Sequence, residues 1–380
     1  MGKDVIHDRY ARLYEIPNQL AQLGHEVRCY CLDYHPSRTS AKSGFDKSAQ
    51  DSDQGTWQHD VPGTGSLHWS STPFGLPQLG QWFAYPRRLL GELKSSFQPD
   101  VLIGASDIPH AALTAWLSKR LDLPYVIDLY DNFEGFGQAR IPGFVPALRH
   151  ATRNAGLVLT TSEPLRQKVL REYRAKGMVI SMPSSVDLDV FKPQDQRTTR
   201  QSLGLPEQAR LVGTAGGLTV DKGIEPLYKA WELIAARNPD VHLVLAGPFR
   251  QELPPPKGDR VHYLGQLNHA QVANMFNALD VGIISILDTP FGRYCFPQKA
   301  YEMLACNLKV AVTDIGEMSE LFASTPDVLF SAGDAPAMAQ AIEGQLIGQA
   351  AYTHRIRDWK TLIGDIEPHL KAMSRQANSR

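Results

Sequence analysis

The feature that most constrains this chain is a recurring unit: a short apolar run, a turn, then an amphipathic helix, interrupted once and then resumed. Strands alternating with helices argue a parallel sheet covered on both faces. In the first half, strands are read at Glu26 to Leu32, Val101 to Gly104, Tyr125 to Leu129 and Leu157 to Thr161. A helix from about Asp8 to Leu23 precedes the first strand. Tyr10, Leu13, Ile16, Leu20 and Leu23 recur in it at helical spacing, Gly24 closes it, and Pro17 is expected to kink it. Between Pro183 and Arg200 the periodicity stops and Pro, Ser, Asp and Gln dominate, which places a linker there. The pattern then restarts with strands at Leu211 to Ala215, Val241 to Ala246, His262 to Leu264, Val281 to Ser285 and Lys309 to Thr313. Helices fall near 223–237, 269–278, 297–306, 316–323 and 335–347, and Ala351 to Met373 reads as one further amphipathic helix.

Two segments depart from the rhythm. Residues 34–66 are rich in Ser, Gly, Asp, Lys and Gln and are expected to form a long mobile loop. A doubly wound domain usually opens with an apolar strand ahead of its first helix, and Met1 to Ile6 is too short and polar to supply it. We expect residues ahead of Met1 to be missing from this chain.

A length of 380 residues suffices for two domains with cores of their own, and 43% hydrophobic with 21% charged residues is a globular composition. The net charge of −1 leaves no global basic field, so nucleic acid is not expected as a partner. Cys29, Cys31, Cys295 and Cys306 form no disulfide framework or metal motif and are expected as reduced thiols. No run approaches the roughly 18–20 apolar residues of a membrane span and the chain opens on polar residues, so a cytoplasmic location is expected. One aromatic–basic stretch, QWFAYPRRLLGELK with Trp82, Phe83, Tyr85, Arg87 and Arg88, fits either interior packing with a charged rim or peripheral contact with the inner face of a membrane.

Three segments carry chemistry. Gly213 to Gly223, GTAGGLTVDKG, leaves a strand and enters a helix. Its glycines (Gly216 and Gly217 among them) let backbone N–H groups approach a ligand, and Lys222 adds a full charge where a diphosphate would sit. It matches neither a Walker A loop nor a dinucleotide fingerprint, and a tight turn with a solvated lysine would also explain it. Asp288 to Val312 runs from a loop with Gly292 and Pro297 into a short helix that carries Lys299 and Glu302 on one face. A surface ion pair would explain those two residues, but the helix start faces the strand ends at which open α/β sheets bind ligands. Val126 to Gly137, VIDLYDNFEGFG, gathers Asp128, Tyr130, Asp131 and Glu134 at a strand end, a setting that suits substrate hydroxyls or proton transfer as well as a solvated acidic loop.

The order of these segments resembles the retaining glycosyltransferases of family four, the group 1 family, over nearly the whole chain and most strongly from Leu211 to Leu321. LGHEVRCYCL is similar to the family's first-domain G-H-E-V strand, and VISMPSSVDLDVFKP (179–193) to its linker signature. GGLTVDKGIEPLYKAW resembles its donor-phosphate motif, and FPQKAYEMLACNLKV the helix carrying the second glutamate of its two-glutamate signature. The resemblance implies a GT-B fold: two Rossmann-like doubly wound domains facing a cleft, an acceptor-side domain over 1–190 and a nucleotide-sugar donor domain over 195–350, with the helix of 351–380 packing back on the first. It implies a hexosyl-type transfer, without metal or cofactor, from a UDP- or GDP-sugar to a glycan or lipid-linked acceptor in polysaccharide biosynthesis, with the residues around 34–66 and Pro73 to Leu90 bordering the acceptor.

Carried over residue by residue, Lys222 would contact the diphosphate, Glu302 the ribose, Gln266 the base, and the backbone from Phe291 to Phe296 the sugar and phosphates. Asp131 and Tyr130 would be catalytic on the acceptor side, and Gly216, Gly217 and Lys299 would complete the donor site. The family's phosphate arginine falls on Gly217, so Arg293 is a candidate replacement. Its first glutamate falls on Tyr294, while Pro297, Lys299 and Glu302 fit a subset with P-x-K-x-x-E. Asp187–Leu188–Asp189 and Asp51–Ser52–Asp53 are read as structural and not as metal sites. A catalytically silent nucleotide-sugar-binding partner and a sugar-nucleotide epimerase are the alternative readings.

Overall fold

A computed structural model describes residues 5–9, 11–33, 55–73, 79–348 and 356–378, in two compact units. Unit 1 comprises residues 1–160, 168–182 and 359–380, and unit 2 residues 161–167 and 183–358.

Unit 1 opens with helices α1 (Val5–Asp8) and α2 (Arg12–Gln22), strands β1 (Glu26–Asp33), β2 (Gly55–His59) and β3 (Ser66–Pro73), and helix α3 (Leu79–Ser95). It continues through β4 (Leu102–Gly104), α4 (Ile108–Leu121), β5 (Tyr125–Leu129), α5 (Phe144–Asn154) and β6 (Leu157–Thr160). The chain then passes through helix α6 (Glu163–Lys168), which belongs to unit 2 up to residue 167, before unit 1 resumes and adds β7 (Met178–Ser181). The strands form a four-stranded parallel sheet in the order β4-β5-β6-β7 and a three-stranded sheet in the order β1-β3-β2. Every residue of β5 and β6 is buried, as expected of parallel strands covered on both faces.

Unit 2 contains α7 (Gln196–Ser202), β8 (Arg210–Ala215), α8 (Ile224–Arg237), β9 (Val241–Ala246), β10 (Val261–Tyr263), α9 (His269–Ala278) and β11 (Val281–Ile284). These are followed by α10 (Pro290–Tyr294), α11 (Gln298–Ala305), β12 (Lys309–Thr313), α12 (Glu317–Leu321), β13 (Leu329–Phe330) and α13 (Ala335–Ile347). Its sheet is parallel, in the order β10-β9-β8-β11-β12-β13, with one apolar cluster on each face. The caps are local: Asn268 and Gln271 close a reciprocal capping box at α9, and the carboxylates of Asp195 and Asp334 accept the first free N–H groups of α7 and α13.

Helix α14 (Trp359–Asn378) belongs to unit 1. Its Trp359, Leu362, Ile363, Ile366 and Leu370 pack with Ile16 and Leu20 of α2 and with Val126, Leu157 and Leu159 of the four-stranded sheet.

Several sequence expectations are corrected. The loop expected over 34–66 ends early: Gly55–His59 is a strand, antiparallel to β3, with Trp57 opposite Trp69, and residues 34–54, including Asp51–Ser52–Asp53, lie outside the described residues. The helix expected from about Asp8 to Leu23 spans Arg12–Gln22, because Arg9 (φ 46°) and Ala11 (φ 67°, ψ 175°) leave helical space, and a separate short helix, Val5–Asp8, precedes them. The linker signature contains a strand, β7, which completes the four-stranded sheet. Tyr85 of the aromatic–basic stretch is buried beside Leu89 and Leu93, with the Arg88 guanidinium over its ring, so this part of the stretch is interior packing. The side chains of Trp82 and Phe83 lie outside the described residues.

Candidate functional site

In unit 2 the chain steps outward from β8 to β9 and β10, then returns to the other side of β8 to lay down β11. The crevice beyond the strand ends at such a reversal is where open α/β sheets bind ligands. Two segments leave the strands on either side of it: 216–223 after β8, and 285–294 after β11.

The first is shaped by glycine. Gly216 (φ 111°) turns the chain out of β8 while its N–H donates to Ala246 O. Gly223 (φ 65°) starts α8 and has no room for a side chain: a Cβ there would lie 2.2 Å from Ser285 Oγ, which itself donates to Gly223 O at 3.0 Å. The turn after β8 is thereby tied to the end of β11, and Lys222 sits beside this tie, its ammonium 4.1 Å from the centre of the Phe291 ring.

Lys299 reaches the same loop from α11. A Cβ on Gly216 would stand 3.5 Å from Lys299 Nζ, an ordinary contact distance, so the ammonium lies against the turn. Burial, and after it the charge of Lys222, lowers the Lys299 pKa to about 8, against a weaker opposing pull from Glu302. Among the described residues neither lysine makes a salt bridge. Two ammonium groups that repel each other over a glycine turn favour an anion between them.

The other predicted donor residues are distributed as follows. Glu302 is buried on α11, one turn beyond Lys299, with 8% of its surface exposed. Gly217 is half-buried next to Gly216. Phe296 packs edge-on against Tyr301 with ring centres 4.6 Å apart, and the Tyr294 carbonyl accepts a 2.8 Å hydrogen bond from Ser162 Oγ. Gln266 is exposed just after β10, next to Gly265, whose carbonyl accepts from Gly247 N. Arg293, the candidate replacement for the family arginine, is exposed and paired with Asp288 at 2.5 Å.

Unit 1 presents a second set at the ends of β4 and β5. Asp128 is fully buried and accepts from the Arg12 guanidinium at 2.6 and 2.9 Å, and Arg12 also donates to Met182 O. Glu134 accepts from Arg149 at 2.7 Å and lies 3.2 Å from the Lys168 ammonium; burial alone would raise its pKa, but these two cations bring it below the usual value. These two carboxylates therefore hold the unit together. Tyr130 packs edge-on against Phe133, ring centres 5.4 Å apart, and burial, followed by the charges of Asp131, Asp107 and Asp128, pushes its phenol well above the ordinary range. It is a hydrogen-bond donor at neutral pH. Asp131 Oδ1 accepts the N–H of Asn132 at 2.6 Å.

Sequence reasoning missed a pair at the end of β4. Asp107 caps α4 by accepting His110 N–H, and its carboxylate also contacts His110 Nδ1 at 2.6 Å. The only signal was an Asp three residues ahead of a His at a helix start, which is how an ordinary N-cap also reads.

A family profile described as Glycosyl transferases group 1 matches residues 209–347, and one described as Glycosyl transferase 4-like domain matches residues 11–181. The chain is 27% identical to the putative teichuronic acid biosynthesis glycosyltransferase TuaC of Bacillus subtilis, over 70% of this chain and 64% of that protein. It is 28% identical to the D-inositol 3-phosphate glycosyltransferase of Mycobacterium tuberculosis, over 42% of this chain and 34% of that one. The matches thus span less than two thirds of the length of these curated relatives. Among solved structures, sucrose-phosphate synthase from Thermosynechococcus elongatus superposes with a TM-score of 0.63 at 19% identity, over 97% of this chain and 91% of that one. The Anabaena HepE protein in complex with UDP-glucose superposes with a TM-score of 0.56 at 20% identity, over 82% and 85%. The fold is that of the GT-B glycosyltransferases, and with one profile on each half the chain belongs to the group 1 glycosyltransferase family.

Proposed function

We propose that the chain transfers a sugar, with retention of anomeric configuration and without a metal ion, from a nucleotide-sugar donor held by unit 2 to a glycan or lipid-linked acceptor. The observation that carries this reading is the convergence of the Lys222 and Lys299 ammonium groups on the Gly216 turn at the sheet's reversal. When the bond from the anomeric carbon to the diphosphate oxygen breaks, negative charge grows on that oxygen. Two fixed cations in a half-buried site stabilise that charge without reorganising. The acceptor oxygen bonds to the anomeric carbon, and its proton passes to the departing phosphate.

Glu302, buried and one turn from Lys299, is suited to hydrogen-bond ribose hydroxyls; the exposed Gln266 borders the base; and the backbone from Phe291 to Phe296 lies along the sugar and phosphates. In unit 1 we assign Asp131 and Tyr130 to the acceptor hydroxyl, with Tyr130 donating a hydrogen bond. Because HepE was solved in complex with UDP-glucose, uridine nucleotides are the first donors to try. The teichuronic acid biosynthesis named for the TuaC relative supports a polysaccharide as the destination of the sugar.

A thermal-shift screen against UDP-, GDP-, ADP- and dTDP-sugars tests the donor assignment, since a ligand present at about 100 times its Kd adds about 2.7 kcal/mol of stability. One nucleotide class is expected to raise the Tm, and a flat response to all four removes the assignment. A donor-binding protein without transfer is the second reading. Gly217 in place of arginine and the pairing of Arg293 with Asp288 favour it. Hydrolysis of the donor by the purified protein separates the two, because only the enzyme accelerates cleavage.

A further inference from the structure

Helix α10 has only five residues, too few to be stable by its own hydrogen bonds. Thr289 supplies its first turn: Oγ1 accepts the Gly292 N–H and the carbonyl accepts the Arg293 N–H, while Cys295 N–H donates to Phe291 O. The last carbonyls of any helix lack a partner within it. Here that of Tyr294 is met by a residue 132 positions away in sequence, Ser162, whose Oγ donates to it at 2.8 Å.

Ser162 is fully buried and belongs to the stretch 161–167, which follows β6 in sequence but lies in unit 2. Its oxygen also accepts the Leu165 N–H at 3.3 Å, so the same hydroxyl caps α6 with its lone pair and holds Tyr294 O with its proton. The next residue carries the contact onward, because Glu163 N–H donates to Glu317 Oε2 at 2.9 Å. Burial pushes the Glu317 carboxyl above its ordinary pKa despite that N–H, so the contact is made against a desolvation penalty. Glu317 in turn follows Gly316, whose φ of 59° and ψ of −131° suit glycine alone. Gly316 packs on the backbone of α10: a Cβ there would lie 2.7 Å from Arg293 O and 3.1 Å from Gly292 O.

These links close a ring. It runs from the Tyr294 carbonyl to Ser162, from its neighbour Glu163 to Glu317, and from its neighbour Gly316 back to Arg293, one peptide bond from Tyr294. Gly292 is as tightly enclosed, since a Cβ on it would lie 2.1 Å from Leu287 O. Two distant segments thus fix a turn that its own five residues leave loose.

We propose that Ser162, Glu163 and Glu317 are positioning residues that brace the backbone of 292–294 in the shape that receives the donor sugar. The proposal rests on the assignment of 291–296 to the sugar and phosphates. The three residues act through the main chain of that segment and do not touch the donor. A segment held in one shape before the ligand arrives loses little freedom on binding, so the brace shows in the affinity for the sugar.

Amide hydrogen exchange without ligand tests the brace in the native chain, Ser162→Ala, Glu317→Ala and Glu317→Gln. Both alanine variants are expected to speed exchange at Gly292, Arg293 and Cys295 by about fivefold or more and to leave β12 within about twofold. Glu317→Gln stays near native, because its side-chain oxygen still accepts the Glu163 N–H. Unchanged exchange in the alanine variants, equal acceleration in β12, or a glutamine variant as fast as its alanine counterpart overturns the proposal. Should Ser162→Ala not fold for want of its cap, the two Glu317 variants decide. Calorimetry with UDP-, GDP-, ADP- and dTDP-glucose beside the free diphosphates supplies the second arm. For the base that binds, the alanine variants are expected to lose about fivefold in affinity for the nucleotide sugar and less than about twofold for its diphosphate. An equal loss for both overturns the proposal. Failure of all four nucleotide sugars to bind the native chain sinks the donor-site reading and the sugar role with it, and the exchange pattern tells that failure from a failure of the brace.

Discussion

At the scale of single residues, the donor site rests on two lysines that differ in environment. Lys222 lies against an aromatic ring at the loop, and Lys299 is held by burial and by its neighbour's charge at a pKa of about 8. The sign of the pH effect follows. An unfolded lysine titrates near 10.4, so between about 8 and 10 the folded state binds fewer protons than the unfolded one. Lys299 therefore opposes folding at neutral pH, and its share of stability improves as pH rises through that window. Donor binding runs the other way, because the site loses a cation above pH 8. Titrations of a nucleoside diphosphate from pH 6.5 to 9.5 are expected to show affinity falling above pH 8 in the native chain, with a flatter profile in Lys299→Met. A profile unchanged by that substitution would mean that Lys299 does not face the ligand.

The buried Arg12–Asp128 pair belongs to the same scale. Replacing Asp128 with Ala leaves a guanidinium buried without its carboxylate, and a loss of about 3–5 kcal/mol is expected in denaturant melts of the folded chain. Substitution at the exposed Arg293–Asp288 pair should change stability by less than about 1 kcal/mol. Lys222 was legible in the sequence because it follows a strand and a glycine turn. The role of Asp128 was not, since its partner is 116 residues away and nothing local distinguishes a strand-end aspartate that meets substrate from one that meets an arginine.

At the scale of elements, the turn from β8 into α8 is held by hydrogen bonds and also leaves no room for a side chain at position 223. Gly223→Ala places a methyl group on Ser285 Oγ and a side chain at a φ of 65°, so a stability loss of about 1–3 kcal/mol is expected, together with weaker donor binding. The double variant Gly223→Ala, Ser285→Gly removes the clash and should recover part of both losses; no recovery would place the cost entirely in the backbone. Strands such as Tyr125–Leu129 and Val241–Ala246 were read to the residue because parallel strands buried on both faces are continuous apolar runs. Strand β2, GTWQH, was missed because its pairing with β3 brings Trp57 opposite Trp69, a cross-strand contact that a Ser- and Gly-rich stretch does not announce. Strand β7 was missed because the Pro and Ser that follow it resemble a linker, while its edge position lets Met178 stay half-exposed.

At the scale of the whole molecule, the two sheets have different jobs. The six-stranded sheet of unit 2 carries the reversal of strand order at which the lysines meet, and unit 1 carries Asp131, Tyr130 and the Asp107–His110 pair at the ends of β4 and β5. Hydrogen exchange with a bound nucleoside diphosphate should slow amides at 213–224 and 285–303 of unit 2 and leave β5 and β6 of unit 1 unchanged. Protection confined to unit 1 would move the donor to the other sheet. The division into strand–helix repeats was legible because it depends on local periodicity, whereas the pairing of β1 with β3 in one sheet and of β4 with β5 in another is a property of the assembled chain.

The most direct measurement is calorimetric: affinities of UDP, GDP, ADP and dTDP beside those of the matching monophosphates, for the native chain and for Lys222→Met. For the base that binds, the diphosphate is expected to be tighter than the monophosphate by about tenfold or more, roughly 1.4 kcal/mol for the added phosphate, and the substitution should remove most of that gap while leaving monophosphate affinity nearly unchanged. An equal gap in the native chain and in Lys222→Met would contradict the assignment of the glycine turn and its lysine to the leaving diphosphate.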